Sequence, residues 1–241
     1  VLAVSKNVDD ADKVISFQYR FIFGKGLERN IDVKQDEKTL NLIQTKKASC
    51  PKWTELKFHQ CPNCSLHEGH HPFCPIAKNL VDLVDFFETA ISWDKVDLII
   101  QTGERKYMKN TTLQQGISSL LGIYMVTSEC PIMAKLKPMV RYHLPFPTMK
   151  ETQYRVMSMY LLAQYFLYRQ GKTPDWELKN LIKIYDDIQI VNKTLSQRLS
   201  HIKMKDAILN ALVKLDIFAK HISFSIDKNV LDEMECSFNA Y

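Results

Sequence analysis

Between Pro75 and Ile222 apolar residues return at every third or fourth position over stretches of several turns, a pattern that forces helices to bury their stripes against one another. After Pro75 the stripe is Ile76, Leu80, Leu83, Val84, Phe87 and Ile91, with proline at the first helical position. A second runs Leu181, Tyr185, Ile188, Leu195, Leu199 and Ile202, interrupted only by the polar Asn192. A third follows Asp206: Ile208, Leu212, Leu215, Ala219 and Ile222. Seven glycines among 241 residues leave little material for tight turns, which again favours helix over many short strands.

Further punctuation divides the helical part. Thr112 to Thr127 is largely apolar, and Pro131 reads as the start of a helix through Ile132, Leu136, Met139 and Val140. Thr148 and Glu151 have capping-box spacing ahead of a helix that ends at Gly171. That helix is apolar nearly all round, which predicts the central, enclosed one. Thr173-Pro174 reads as the cap of the next.

The N-terminal part has a different period. Ile15 to Phe23 alternates large apolar side chains with Ser16, Gln18 and Arg20, then Gly24-Lys25-Gly26 turns the chain into a second alternation from Glu28 to Val33. Val96 to Thr102 and Arg105 to Asn110 form a second strand pair, and the four strands can share one sheet. The expected fold is α+β, predominantly α-helical. Residues 1–13 read as a flexible arm and 14–241 as one integrated domain. Within it, 14–45 is a β-hairpin, 50–75 a Cys/His loop, 76–110 a helix plus β-hairpin and 111–241 the helical body.

A net charge of +5 is spread over the chain without a basic stripe, so nucleic acid is not the expected partner. No run of eighteen apolar residues predicts a membrane span. The segment at Val1 lacks the basic, apolar, small-residue order of an export signal, and the expected location is cytoplasmic.

Chemistry concentrates in His59 to Cys74, HQCPNCSLHEGHHPFC, which holds three of six cysteines and four of seven histidines. Cys61 and Cys64 have C-x-x-C spacing, which lets two thiolates reach one ion from a single turn, and Cys74 follows with His67, His70 and His71 between. The fourth ligand is His71 or Cys130. Cys130 shares the context of Cys74, just before a proline that opens a helix, where the dipole and free N–H groups favour thiolate. The donor set suits zinc. An iron–sulfur cluster is the alternative, because a Cys-Pro step, present here at Cys50, Cys61, Cys74 and Cys130, recurs in such sites. A dithiol switch between Cys61 and Cys64 is a third reading. Cys50 and Cys236 read as ordinary thiols.

A second polar group surrounds an LPFP turn. Arg141 and His143 precede it, and Glu151, Tyr154 and Arg155 follow. An imidazole beside a carboxylate could transfer protons, and paired arginines could bind an anion. Equally, Glu151 is explained as a helix cap and either arginine as its counter-charge. Asn192, Asp206 and Asn210 read as buried hydrogen-bonding residues that fix helix register.

The segments HQCPNC, CPIAKNL, SSLLG, SECP, PMVRYHLPF, ETQYR and MYLLAQYF together resemble a family of bacterial proteins of unknown function, from Ile15 to about Phe224. The resemblance implies bacterial origin and one integrated unit, with no activity to carry over. It also implies a small residue where Glu129 stands. The functional expectation is a binding or adaptor module with one structural zinc. The alternatives are a metalloenzyme using His143 and Glu151 for proton transfer, and a cysteine redox sensor or iron–sulfur protein. The expected partner is a protein or a small molecule.

Overall fold

Alternation along Val14–Phe23 (β1) buries Phe17, Tyr19 and Phe21 and exposes Ser16, Gln18 and Arg20, as one face of a half-buried strand requires. A computed structural model describes residues 14–43, 50–227 and 230–240 of the protein; the expected N-terminal arm, residues 1–13, lies outside them. β1 pairs antiparallel with Glu28–Asp36 (β2) on one side and with Lys95–Gln101 (β3) on the other, and Lys106–Thr112 (β4) closes the order β2-β1-β3-β4. The register sets Phe21 opposite Leu98 and Tyr19 opposite Ile100 in the two central strands. The sheet therefore offers one continuous apolar face.

Among the described residues seven helices cover that face and extend from it: Pro75–Phe86 (α1), Leu113–Val126 (α2), Lys137–Arg141 (α3), Met149–Arg169 (α4), Lys179–Leu199 (α5), Ala207–Asp227 (α6) and Val230–Glu235 (α7). The architecture is α+β and helix-dominated, with the four-stranded antiparallel sheet towards the N-terminus. Sheet and helices share a single apolar core.

The enclosed helix is α2, not α4. Ten of its fourteen residues are buried, and it is packed between the sheet and α6 because its small residues allow close approach. Gly116 sits where an added Cβ would come within 2.7 Å of both Leu98 Cδ2 and Phe21 Cε1. On α4 only Gln153, Val156, Met157, Tyr160 and Gln164 are buried, whereas Leu162, Tyr165, Phe166 and Tyr168 face outward. Apolar residues on all sides of α4 identified its composition, but only neighbours can enclose a helix.

Other expected boundaries also move. The segment after Pro131 is a 3-10 turn at Met133–Leu136 followed by the short α3, because Pro138 lacks the N–H that a continuous helix would need there. α5 begins at Lys179 instead of near Pro174. Asp175 intervenes: its carboxylate accepts from Tyr160 Oη (2.8 Å) and from the Asn180 N–H (2.7 Å), holding residues 174–178 as a turn with Leu178 at φ 60°. α1 stops at Phe86, leaving Ile91 in the following turn. The capping box of Thr148 and Glu151 is formed as expected. Asp206 and Asn210 bind Ser92, with Ser92 Oγ donating to Asp206 Oδ2 at 2.7 Å, so they tie α6 to the loop before β3.

The two glycines of α2 make opposite predictions. Gly116→Ala should destabilise the protein by roughly 1–3 kcal/mol through overpacking. At Gly122 an added Cβ meets only Leu215 Cδ2, at 3.9 Å, so Gly122→Ala should be neutral or stabilising by up to about 1 kcal/mol. Urea denaturation of both variants checks the pair.

Candidate functional site

The loop between β2 and α1 closes on itself through main-chain bonds. Cys74 N donates to Thr54 O at 2.8 Å, Leu56 N to Pro72 O at 2.8 Å, and Glu55 pairs with Phe73 as an isolated bridge. Cys74 is thereby returned to the start of the loop as the N-cap of α1. Cys61 and Cys64 form a tight turn, Cys64 N donating to Cys61 O at 3.0 Å, and Asn63 within it fastens the turn to α5 by donating to Asp187 O (3.2 Å) and Oδ1 (2.9 Å).

One residue that sequence reading missed organises the loop. Arg198, 2% exposed, extends from α5 and donates to four main-chain carbonyls: Trp53 and Glu55 at 2.6 Å, Leu56 at 3.2 Å and His59 at 3.0 Å. Its guanidinium also lies 5.8 Å from the centroid of the Phe58 ring. The sequence carried a signal for it. Arg198 falls on the buried stripe of α5, three residues after Leu195 and beside Leu199, where a charge requires a built environment.

Cys61, Cys64 and Cys74 line one cavity together with Arg198, Thr194 and His59. Its volume of about 20 Å³ suits a single ion or water. Burial, followed by the neighbouring Cys74, pushes the Cys61 thiol up to about 11, partly offset by a hydrogen bond from Thr194. Cys130 is outside the cavity wall but within electrostatic reach of Cys61, Cys64 and Cys74. Burial raises its pKa, while the N–H groups of Met133 and Ile132 oppose the rise by bonding to its sulfur. All six cysteines are free thiols. Among the described residues no three His, Cys, Asp or Glu side chains stand in ligating geometry. His71, like His67 and His70, is exposed on the outer side of the loop and does not line the cavity. The ring of His59 instead packs on His201, with centroids 4.6 Å apart.

The second expected constellation is dispersed. Arg141 pairs with Glu37 at 3.1 Å, Tyr154 is exposed, and the Glu151 carboxylate accepts from Thr148 N at 2.7 Å as a helix cap. No hydrogen bond joins Glu151 to His143 among the described residues. His143 instead meets two hydroxyls missed in the sequence: its Nε2 lies 3.0 Å from Tyr19 Oη and 3.1 Å from Ser119 Oγ, which are 2.9 Å apart. Arg155 holds the turn before it by donating to Met139 O (3.0 Å) and Tyr142 O (2.8 Å). His143, Ser119 and Arg155 border a largely apolar cavity of about 250 Å³ between α2, α5 and α6. Desolvation by the surrounding protein, and secondarily the Arg155 charge, lowers the His143 pKa from 6.5 to about 3. Such an imidazole is neutral and a weak base at physiological pH.

These features define a helix-dominated α+β domain with a thiol-lined cavity on one side and a larger apolar cavity inside the helical body. The chain belongs to the family described as a domain of unknown function, DUF6901, whose model matches residues 17–239. No curated protein and no solved structure matches it. No helix among the described residues is long and apolar enough to cross a membrane.

Arg198→Met should cost about 3–5 kcal/mol, because it removes the donor of several buried carbonyls at once, and should open residues 53–59 to limited proteolysis. For His143, a folded pKa below the unfolded 6.5 means that acid favours the unfolded chain. Its contribution is fully present above about pH 6.5 and is lost as pH falls towards 3. His143→Gln should flatten that part of the profile of unfolding free energy against pH.

Proposed function

We propose that this protein is a metal-binding module in which Cys61, Cys64 and Cys74, with Cys130 as the fourth ligand, hold one structural zinc ion. The observation that carries the reading is a cavity of single-ion size whose wall contains three thiols and a buried guanidinium. Sulfur donors favour zinc over hard cations. Zinc with four thiolates has a formal charge of −2, and the Arg198 cation beside the thiols offsets part of it. Ligation requires the thiols to move closer together than they stand in the structure. Cys130 is preferred to His71 because it lies in the electrostatic field of the other three, whereas His71 faces outward.

The proposed ion ties residues 61–74 to Cys130, just after α2, and the resulting rigid surface serves binding, as in an adaptor. Proton-transfer catalysis at this metal has no geometric support, since His143 borders the other cavity and Glu151 caps α4. An iron–sulfur cluster would draw on the same thiols and is separated by colour and metal content.

Elemental analysis of the purified protein should find one zinc per chain in a colourless solution. Chelation should lower the melting temperature and added zinc restore it. Cys74→Ser should abolish retention of the metal while keeping the start of α1, because serine is itself a good N-cap. Iron with visible charge-transfer bands would overturn zinc. A metal-free protein whose melting temperature ignores added zinc would overturn the site. Because the Cys61 thiol is protonated at neutral pH, binding must release protons. Apparent zinc affinity should therefore fall as pH is lowered from 8 to 6, by about tenfold per unit for each proton released.

A further inference from the structure

The apolar cavity between α2, α5 and α6 has its own chemistry, independent of the thiols. Among the described residues two cations, Arg155 and Lys214, stand in its wall and no carboxylate does. Arg155 uses Nη2 for the carbonyls of Met139 and Tyr142, while its Nη1 and Nε make no hydrogen bond among the described residues. Tyr185, 5% exposed, lies within electrostatic reach of Arg155, and its hydroxyl is likewise without a hydrogen bond among the described residues. Glu151 also lies in the field of Arg155, but its carboxylate is held at the N-terminus of α4 and does not border the cavity. One end of the cavity therefore presents a guanidinium and a phenol with donors to offer.

A second polar point lies further along the same wall. Asn192 is 3% exposed, borders the cavity, and its buried Oδ1 has no hydrogen-bond partner. Its Nδ2 has none either among the described residues. Leaving a buried amide unpaired is costly, so this side chain points to something that enters the cavity. Asn192 lies seven positions after Tyr185 on the helix, about 10 Å along the axis. Ile188 lies between them, and Met125, Ile222 and Phe218 line the same space. The volume of about 250 Å³ falls just below the ~300–1,000 Å³ of typical ligand pockets.

We propose that this cavity binds a medium-chain aliphatic carboxylate bearing a hydroxyl at its far end. The carboxylate pairs with Arg155 and the Tyr185 hydroxyl, the chain lies along Ile188, and the hydroxyl both donates to and accepts from the Asn192 amide. A hydroxyl suits Asn192 because it satisfies both ends of the amide. The anion is selected by two wall cations, because no carboxylate among the described residues borders the cavity.

Calorimetric titration of the purified full chain with ω-hydroxyoctanoate, octanoate, 1-octanol and octylamine tests the assignment. ω-Hydroxyoctanoate should bind saturably at one per chain, octanoate more weakly, octanol at least about tenfold more weakly, and octylamine not at all. Arg155→Gln should weaken the hydroxy acid by about tenfold or more, and Asn192→Leu should abolish its advantage over octanoate. Because Arg155 also supports the turn before His143, Gly122→Met provides a second probe. It fills the cavity from α2, where a Cβ is accommodated, and should eliminate binding without touching a polar contact. No saturable binding of either acid at millimolar concentration would overturn the proposal. So would octanol binding as tightly as octanoate, equal binding of the two acids, or Gly122→Met binding like the unaltered protein.

Discussion

A single buried guanidinium holds the least regular part of this protein in place. Residues 50–74 contain little repeating secondary structure, and their main-chain carbonyls need donors if they are to pack against helices. Arg198 supplies donors to four of them from one side chain on α5. Charged donors form hydrogen bonds worth about 1.5–3 kcal/mol each, which offsets the cost of removing the cation from water. The same contacts set the loop against α5, and the thiols of Cys61, Cys64 and Cys74 are carried to one cavity as a result. Asn63 and the bridge between Glu55 and Phe73 fix the two ends of that arrangement.

The rest of the body is organised around α2. It lies against the central strands at Gly116 and against α6 on its other side, and its Ser119 joins Tyr19 of the sheet to His143. One helix thus links the apolar face of β1 and β3 to the wall of the larger cavity. The thiol-lined cavity borders α5 at Val191, Thr194, Leu195 and Arg198, and the larger one borders the same helix at Tyr185, Ile188 and Asn192. α5 is the common scaffold of both. A rigid helix is suited to that task because side chains three, four and seven residues apart fall on related faces.

The distribution of exposed aromatic residues sets α4 apart. Its second half presents Leu162, Tyr165, Phe166 and Tyr168 outward, with Trp176 also exposed. Val156 and Met157 anchor it in the core, and polar contacts add to them: Gln164 accepts from Asp175 N, Tyr160 donates to Asp175, and Gln153 donates to Ser225 of α6. Polar pairs of this kind fix the position of a helix without enclosing it.

Local rules written in the sequence determined much of the fold. Period-two alternation marked β1 and β2, capping chemistry marked Thr148 and Glu151, and the stripes of α1, α5 and α6 marked their buried faces, because each depends only on neighbours along the chain. The crowding of cysteines also marked a chemically unusual loop. Tertiary structure decided which helix is enclosed and that Arg141 pairs with Glu37. It also brought Tyr19, Ser119 and His143 together and set Arg198 beside the thiols. Those outcomes depend on contacts between residues a hundred or more positions apart, as for Tyr19 with His143 and Arg198 with Trp53, and no periodicity or spacing encodes which distant side chains meet.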